Sequence, residues 1–360
     1  MHNNKILISI LDWGLGHATR SSVICRQLEE LGFKILIASQ GLSLEWLKLR
    51  HPNAIFYELP SYQIQYQSSF MVFNILQASP NMYKAIQKEH RIIEDICRRE
   101  QPLFLISDNR YGAFAKGFHS IFMGHQMQIR TGVKLLDFSA NQIQRYFLKN
   151  FDEIWVPDQK SPQNLAGKLS EYDQNKVFYL GWLSRFNHKV LQATEGSLLF
   201  ILSGPEPQRT RFEGIILNQL DRIKKPVVLV RGLSREHADI DARWKRPHIT
   251  TYNLVDAETL EELIQSSEVV ISRSGYSSLM DYACMQLKRV VLVPTPGQTE
   301  QIYLSQICAE KKVGKVVEQD YFKVETCLES WEGIEGFPIF EQVAFSHDFI
   351  LNYVKKWVDV

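Results

Sequence analysis

Short apolar runs alternate with amphipathic segments along the first half of the chain. The runs are rich in leucine, isoleucine and valine and predict buried strands at residues 5–11, 33–39, 54–59, 103–107, 120–124, 153–156 and 177–180. The intervening segments repeat apolar residues at helical spacing and predict helices at 18–31, 42–50, 83–100 and 133–149. Such alternation indicates a parallel sheet with helices on both faces.

The same alternation starts again after residue 196 and predicts strands at 197–202, 227–230, 249–253, 268–272 and 289–293. We therefore predict an α/β protein with two Rossmann-like, doubly wound parallel sheets. The predicted segments are a first domain at 1–183, a linker at 184–196, a second domain at 197–335 and a final helical segment at 336–360.

The composition supports two folded domains and argues against other classes. With 360 residues, 45% of them hydrophobic, the chain can fill two cores. A net charge of +1 gives no reason to expect nucleic-acid binding. The first residues predict a buried strand rather than a signal peptide, and no window reaches the roughly 18 apolar residues of a membrane span.

The five cysteines are widely spaced, odd in number and contain no CxxC pair. This pattern argues against a disulfide framework and a structural zinc site, and predicts a reducing compartment, the cytoplasm. Three of them fall on apolar helix faces and are predicted to lie in the core, namely Cys25, Cys284 and Cys308.

Two consecutive strand-to-helix turns in the second half have polar residues at their tips. Ser274 and Gly275 lead into a helix whose first turn carries Tyr276 and Ser277, and free N–H groups there suit a phosphate. Asp281, further along this helix, could accept from a sugar hydroxyl. The next strand ends in a Pro/Gly turn, after which Thr299 is predicted to cap a helix. The two turns together suggest a nucleotide with a polar appendage.

The turn after the first strand, GLGH, also has candidate chemistry. Gly14 and Gly16 permit close backbone approach, and His17 could deprotonate a hydroxyl or stabilise a phosphate. A dinucleotide fingerprint would need a third glycine where Thr19 stands, and an acidic residue after the second strand, where Gln40 stands. An active-site turn is therefore favoured over an NAD site, and a plain turn is the remaining alternative.

Two further polar positions follow predicted strands of the first half. The Asp108 carboxylate could accept a hydrogen bond from His17 or from the hydroxyl group of a bound substrate, or it could cap a turn. His125 follows the next strand and is either a site residue or an ordinary loop histidine. We predict His17, Asp108 and His125 as the catalytic set.

The motifs SRSGYSSLMDYA, VPTPGQTEQ and DWGLGHATR, at residues 272–283, 293–301 and 12–20, resemble those of GT-B glycosyltransferases. The similarity is strongest to glycosyltransferase family 28, which includes the peptidoglycan N-acetylglucosaminyltransferase and galactolipid synthases. The resemblance implies two domains with a cleft between them and a final helix that returns to the first domain. It further implies inverting transfer of a sugar from a nucleoside diphosphate, most simply UDP, to an acceptor hydroxyl. No cofactor or metal is expected, and the chain has no Asp-x-Asp motif of the metal-binding kind.

The resemblance also implies a donor site, made of Ser203, Gly204, Arg231, Asn253, Arg273, Ser274, Gly275, Tyr276, Ser277, Asp281, Gly297, Gln298, Glu300 and Gln301. In this assignment Ser203 and Gly204 lie at the pyrophosphate, and Glu300 and Gln301 read the sugar hydroxyls. Asp281 stands where the family usually has Glu for the ribose. Three alternatives stay open: a surface ion pair for Arg231, a structural role for Arg273 and a helix cap for Glu300.

The chain departs from the family after His125, where Gln126 and Met127 stand in place of a frequent Glu-Gln pair. Either another carboxylate replaces the missing one, with Asp108 as candidate, or the acceptor differs. The segment 62–82 is aromatic and is either core or a lid facing a lipid-linked acceptor. Predicted partners are thus a nucleotide-sugar and a saccharide or lipid-linked acceptor, with peripheral contact of the first domain to the cytoplasmic membrane face. The alternative functions are a UDP-sugar 2-epimerase and a non-catalytic sugar-nucleotide-binding protein.

Overall fold

A computed structural model describes residues 4–62, 71–172, 176–186, 192–193, 195–233, 240–338 and 347–357. The chain forms two compact units: unit 1 is Met1–Arg185 with Val343–Val360, and unit 2 is Phe186–Gln342. Residues 63–70 of the aromatic segment and much of the predicted linker lie outside the described residues, as do Phe340 and Val343 of the final segment.

Unit 1 is built on a seven-stranded parallel sheet in the order β3-β2-β1-β4-β5-β6-β7. Its strands are β1 Lys5–Ile10, β2 Lys34–Ser39, β3 Ile55–Glu58, β4 Phe104–Asp108, β5 His119–Met123, β6 Glu153–Val156 and β7 Val177–Tyr179. Its helices before unit 2 are α1 Leu15–Glu30, α2 Gly41–Arg50, α3 Met71–Glu100 and α4 Lys134–Leu148. The strand order reverses between β1 and β4, and in such sheets this switch point is where ligands bind.

Unit 2 repeats the architecture with a six-stranded parallel sheet in the order β10-β9-β8-β11-β12-β13. Its strands are β8 Ser197–Ile201, β9 Val227–Val230, β10 Ile249–Tyr252, β11 Ser267–Ser272, β12 Val290–Leu292 and β13 Lys315–Val316. Its helices are α5 Gln208–Leu217, α6 Ala257–Gln265, α7 Tyr276–Met285, α8 Thr299–Glu310 and α9 Glu325–Leu328. Here the switch point lies between β8 and β11. The predicted α/β class with two doubly wound sheets is confirmed.

The last described helix, α10 His347–Val354, packs on the core of unit 1. Tyr353 meets the rings of Phe104 and Trp155 edge-on, with centroids 5.5 and 4.9 Å away. Burial of these aromatic rings holds the end of the chain against β4 and β6.

Several element predictions were wrong at the level of single residues. Helix α3 begins at Met71 and runs through Pro80, whereas the sequence pattern predicted a start at residue 83. The strand Lys315–Val316 was missed, since two residues carry no readable alternation. Thr299 is the first residue of α8 rather than its cap, and Gln298 occupies the cap position. All five cysteines are free, and Cys284 is only half-buried, against the predicted core position.

Candidate functional site

The first polar cluster lies where β1 and β4 end, at the switch point of unit 1. The register pairs Ile10 with Asp108, so the chain leaving β1 runs beside that carboxylate. Gly14, at the N-cap of α1, has a positive φ of 80°, which favours glycine. The helix begins at Leu15, so His17 lies in its first turn rather than in the preceding loop, as does Gly16. The Nδ1 atom of His17 lies 2.9 Å from Oδ1 of Asp108, and these two predicted residues therefore meet.

Asp108 is fully buried and nonetheless negatively charged. Arg20 donates to both of its oxygens, from Nε at 2.9 Å and from Nη2, and the Ser21 hydroxyl donates to Oδ2 at 2.6 Å. Burial alone would raise the pKa of this carboxyl. The charges of Arg20 and His17 and the hydrogen bonds outweigh burial and hold the pKa well below its usual range. The Asp108 carboxylate is thus a negative charge held in place next to His17.

His17 is neutral at neutral pH. Burial is the largest cause that lowers its pKa, the Arg20 charge lowers it further, and Asp108 opposes them only in part. Because a carboxylate only accepts, we assign the imidazole proton to Nδ1, facing Asp108, which leaves the lone pair on Nε2. The side chain is 13% exposed. A neutral, partly exposed imidazole oriented by a carboxylate can take a proton from a hydroxyl.

Arg20 is a site residue that the sequence analysis missed. Its side chain is 2% exposed, and besides Asp108 its Nη1 lies 3.0 Å from Nδ1 of His125. It thereby connects all three predicted catalytic residues. The available signal was its position three residues after His17, which places both on one face of α1.

A second buried network lies beside this cluster and was also missed. The fully buried Arg110 pairs with Glu89 at 2.6 Å and with Asp12 at 3.3 Å. Glu89 in turn accepts from the Tyr62 hydroxyl. The turn that carries this arginine begins at Asn109, whose φ of 58° is left-handed. This network fixes the chain directly after Asp108 and so supports the position of the carboxylate.

In unit 2, three predicted loops follow strands at the switch point. The loop after β8 contains Gly204, whose φ is 102°, and a Cβ there would approach Oγ1 of Thr295 to 3.3 Å. Thr295 lies in the loop after β12 and is buried, and its hydroxyl has no hydrogen-bond partner among the described residues. Ser203, next to Gly204, is exposed. The loops after β8 and β12 therefore approach each other across the end of β11, with a buried hydroxyl between them.

The loop after β11 is tied to α8 by Gln301. Ser274, which is fully buried, donates to the carbonyl oxygen of Gln301 at 2.9 Å. The side-chain oxygen of Gln301 accepts from the Thr295 N–H at 2.9 Å, and its amide nitrogen donates to Gln298. Gly297, with a φ of 81°, forms the turn before this helix. The side chain of Gln301, which was predicted to contact the sugar hydroxyls, thus also holds the loop after β12 in place through Thr295 and Gln298.

Helix α7 begins directly after Ser274. Gly275 is its N-cap without a side-chain cap hydrogen bond, and the first turn consists of Tyr276 and Ser277 with Ser278. First-turn N–H groups have no partner within their own helix and favour an anion. Asp281, predicted for the ribose, lies further along α7 and is 5% exposed. Glu300 is half-buried in the first turn of α8.

The contacts of Arg273 fit the structural role that the sequence left open for it. Its Nη1 donates to the Val293 carbonyl at 3.1 Å, and its Nη2 donates to Gln319 at 2.6 Å and to the Gln208 carbonyl at 3.1 Å. The guanidinium lies over the ring of Phe212, 4.7 Å from its centroid. Burial lowers its pKa to about 10. These contacts join the ends of β11 and β12 inside unit 2.

Arg231 forms a buried ion pair rather than the surface pair that was the alternative. Its Nε donates to Glu213 at 2.8 Å, and Nη1 donates to Oδ1 of Asn253 at 3.0 Å. Arg209 donates to the other oxygen of Glu213 at 2.7 Å. The network joins the ends of β9 and β10 to α5, and so brings two predicted donor residues, Arg231 and Asn253, into contact.

Comparison with known sequences agrees with these features. Residues 215–332 match the sequence profile of the glycosyltransferase family 28 C-terminal domain. The second half of the chain therefore resembles glycosyltransferase family 28, and the whole chain has the GT-B fold. An uncharacterised glycosyltransferase of Methanopyrus kandleri is 21% identical over 331 residues, which cover 85% of this chain and 90% of the relative. The UDP-N-acetylglucosamine–N-acetylmuramyl-(pentapeptide) pyrophosphoryl-undecaprenol N-acetylglucosamine transferase of a Sulfurihydrogenibium species is 24% identical over 268 residues, 68% of this chain and 67% of the relative.

Solved structures share the fold of this protein. MurG of Acinetobacter baumannii has a TM-score of 0.60 at 12% identity and covers 98% of this chain and 99% of its own. A putative UDP-N-acetylglucosamine 2-epimerase of Listeria monocytogenes has a TM-score of 0.59 at 12% identity, covering 100% and 98%. Because a transferase and an epimerase match equally well, the fold does not separate these two activities.

The matched profile covers most of the predicted donor residues of this chain. Arg231, Asn253, the turn that begins at Arg273, and the α8 start at 297–301 fall inside it, whereas the Ser203–Gly204 loop falls outside. The cluster around His17 belongs to unit 1, which the profile does not reach. Its assignment therefore depends on the geometry described above.

Proposed function

We propose that this protein transfers a sugar from a UDP-sugar to an acceptor hydroxyl with inversion of the anomeric centre. The UDP component is supported by the Sulfurihydrogenibium relative, whose name specifies a UDP-N-acetylglucosamine donor. A hexose is the proposed sugar, and no metal is proposed to take part.

The observation that carries the proposal is the pairing of His17 with the buried Asp108. A donor-binding unit would serve a sensor protein equally well, because it needs only to hold a nucleotide. A neutral histidine oriented by an anion is what an acceptor hydroxyl needs in order to lose its proton. This pair therefore favours a transferase over a non-catalytic binding protein.

In the proposed reaction, Nε2 of His17 takes the proton of the acceptor hydroxyl. The oxygen attacks the anomeric carbon from the face opposite the diphosphate, and the carbon–oxygen bond to the diphosphate breaks with its electron pair leaving on UDP. Asp108 stabilises the imidazolium that forms. One attack from the opposite face inverts the configuration.

On the donor side, we propose that the diphosphate lies against the first turn of α7 and the loops that contain Gly204 and Thr295. The helix N-terminus supplies N–H groups and a positive dipole end. The Thr295 hydroxyl supplies a donor that no described residue uses. Loss of one such donor to a developing anion costs about 2.7–4 kcal/mol, or roughly 10²–10³-fold in rate.

The test is UDP release and product formation with a panel of UDP-sugars and hydroxyl acceptors, followed by NMR of the product anomer. The proposal expects sugar transfer with inversion, and this transfer should persist in the presence of a chelator. In His17→Gln, transfer should be lost while nucleotide binding is retained. Nucleotide binding without turnover under any condition would favour the sensor. Release of a 2-epimerised sugar would favour the epimerase, whose fold is equally close.

We further propose that unit 1 contacts an anionic membrane surface through α4, which would suit a lipid-linked acceptor. None of the helices in the described ranges is long and apolar enough to cross a bilayer. The outer face of α4 nevertheless exposes four large apolar side chains: Leu135, Phe138, Ile143 and Tyr146. Exposed basic residues, Lys134, Arg145 and Lys149, flank them. An apolar face beside basic side chains is typical of helices that lie in a membrane interface.

Vesicle flotation tests this contact with phosphatidylglycerol and phosphatidylcholine vesicles. Leu135→Ser, at a side chain that is 75% exposed, should reduce binding to anionic vesicles. Leu49→Ser, at a 72% exposed leucine on α2, is the matched control and should leave binding unchanged. Equal flotation of both variants, or no vesicle binding by the unmodified protein, would exclude α4 as the contact.

A further inference from the structure

Arg20 contacts both histidines of the cluster in unit 1, but each contact constrains the imidazole differently. A guanidinium carries only donors, so a histidine nitrogen that accepts from it must hold a lone pair. Nδ1 of His125 lies 3.0 Å from Nη1 of Arg20 and must therefore be its unprotonated nitrogen. The proton of neutral His125 is then on Nε2.

His17 is in the opposite state. Its Nδ1 lies 2.9 Å from both Asp108 Oδ1 and Arg20 Nη2. Nη2 and Nε form a two-pronged pair with the carboxylate, so Nη2 lies next to Nδ1 because both contact Oδ1. A carboxylate oxygen only accepts, so its 2.9 Å contact with Nδ1 of His17 requires the proton on Nδ1, and the lone pair is on Nε2.

We propose that Arg20 is a positioning residue that fixes the two histidines in opposite tautomers, so that His17 presents a proton-accepting Nε2 and His125 a proton-donating Nε2. The inference deepens the proposed function, since it assigns the role of base to His17 and not to His125, whose Nδ1 lone pair faces Arg20. It also explains how the cluster works without an acidic residue after His125, because Asp108 with Arg20 supplies the orienting charges.

Three ionisable groups face His17, and Arg20 is the one whose positive charge opposes protonation of the imidazole. The three groups are Arg20 on its own helix, Asp108 at the end of β4 and His125 after β5. Without Arg20, the Asp108 anion would act on His17 alone and favour its protonated form. His17 would then be charged, and unable to accept a proton, at a pH where it is otherwise neutral.

The experiment is long-range ¹H–¹⁵N NMR of histidine-labelled full chain, with His17→Gln and His125→Gln used to assign the two signals. In the unmodified protein we expect His17 protonated on Nδ1 and His125 protonated on Nε2. In Arg20→Met we expect the pKa of His17 to rise by about 1–3 pH units, the usual effect of a charge at this range. Arg20→Lys keeps the positive charge and should leave the pKa of His17 near its original value.

Arg209→Met is the matched control, because Arg209 is also buried and paired with carboxylates but lies in unit 2 and contacts neither histidine through any described hydrogen bond. It should leave both tautomers and the pKa of His17 unchanged. The same tautomer for both histidines in the unmodified protein, or an unshifted His17 in folded Arg20→Met, would overturn the inference. If Arg20→Met does not fold, the tautomers observed in the unmodified protein still test the inference.

These spectra need no turnover, so their result is independent of whether the proposed transferase reaction is found. The kinetic counterpart is the acid limb of kcat/KM, which should move to higher pH in Arg20→Met and stay in place in Arg20→Lys. A purely structural arginine would lower activity at all pH values alike.

Discussion

Replacing Asp108 with asparagine removes one charge from the centre of the unit 1 cluster. The carboxylate accepts from Arg20 twice, from Ser21 and from His17 while fully buried. An amide has only one acceptor oxygen, so its NH₂ group would face donors, and Arg20 would lose its counter-charge. Breaking a buried ion pair costs about 3–5 kcal/mol. At roughly 2–4 °C per kcal/mol for a unit of this size, the melting temperature should fall by about 6–20 °C.

The same substitution should change the kinetics in a way that instability alone cannot. The change from Asp to Asn behind a catalytic histidine lowers kcat by about 10⁴-fold in the serine protease triad, and we expect a loss of that order. Asp108 raises the pKa of His17, so its removal should shift the acid limb of kcat/KM to lower pH. This direction is opposite to the one expected for Arg20→Met.

A matched control is available in Asp158→Asn. Asp158 is also fully buried, lies just after β6, and accepts from the N–H groups of Trp182, Leu165 and Ala166 but from no histidine among the bonds described. It should lose stability without moving the pH profile. UDP release by Asp108→Asn at an undiminished rate, measured well below its melting temperature, would refute the assignment of Asp108 and His17 as a catalytic pair.

Three further predictions concern single groups. Thr295→Val removes a buried hydroxyl without a described partner, so stability should be unchanged or higher while UDP gives a smaller thermal shift. Glu213→Gln leaves Arg209 and Arg231 facing each other, and the free energy of unfolding should fall by about 3–5 kcal/mol in urea denaturation. The pKa of His17 is lowered by folding, so the unfolded chain takes up its proton first as the pH falls. Stability should therefore decline below about pH 6.5, and less so in His17→Gln, when melting temperatures are compared across pH.

Each of these has a clear contrary result. A UDP-induced shift that is unaltered in Thr295→Val would remove that hydroxyl from the donor site. A loss below about 1 kcal/mol in Glu213→Gln would show that the paired arginines are solvated. Identical acid sensitivity in His17→Gln and the unmodified protein would assign the acid dependence to other groups.

Much of the fold was predictable because buried parallel strands form continuous apolar runs. The run at 153–156 was bounded correctly to the residue, and most others to within one or two. The short β13 was not predictable, since it has too few residues for a pattern, and the part of α3 before residue 83 was not predicted.

The candidate site shows a similar division. His17 and Asp108 could be proposed because each stands at the end of a predicted strand next to the switch in strand order. For Arg20 the only sequence signal was its helical spacing from His17, and for Arg110 there was none. A buried arginine is recognised by its partners, and these partners, Asp108 and Glu89, are distant in sequence. Arg273 stands inside a recognisable motif, yet its contacts join two loops rather than leaving it open to a ligand.

The measurement that tests the central claim most directly is UDP formation from a panel of UDP-sugars in the presence of hydroxyl acceptors, with nucleotide binding followed in parallel by thermal shift. A ligand at 100 times its Kd should add about 2.7 kcal/mol to stability. The account predicts stabilisation by UDP that is reduced in Thr295→Val, and transfer that is abolished in His17→Gln although UDP still binds. Stabilisation by no nucleotide, or transfer that persists in His17→Gln, would contradict it.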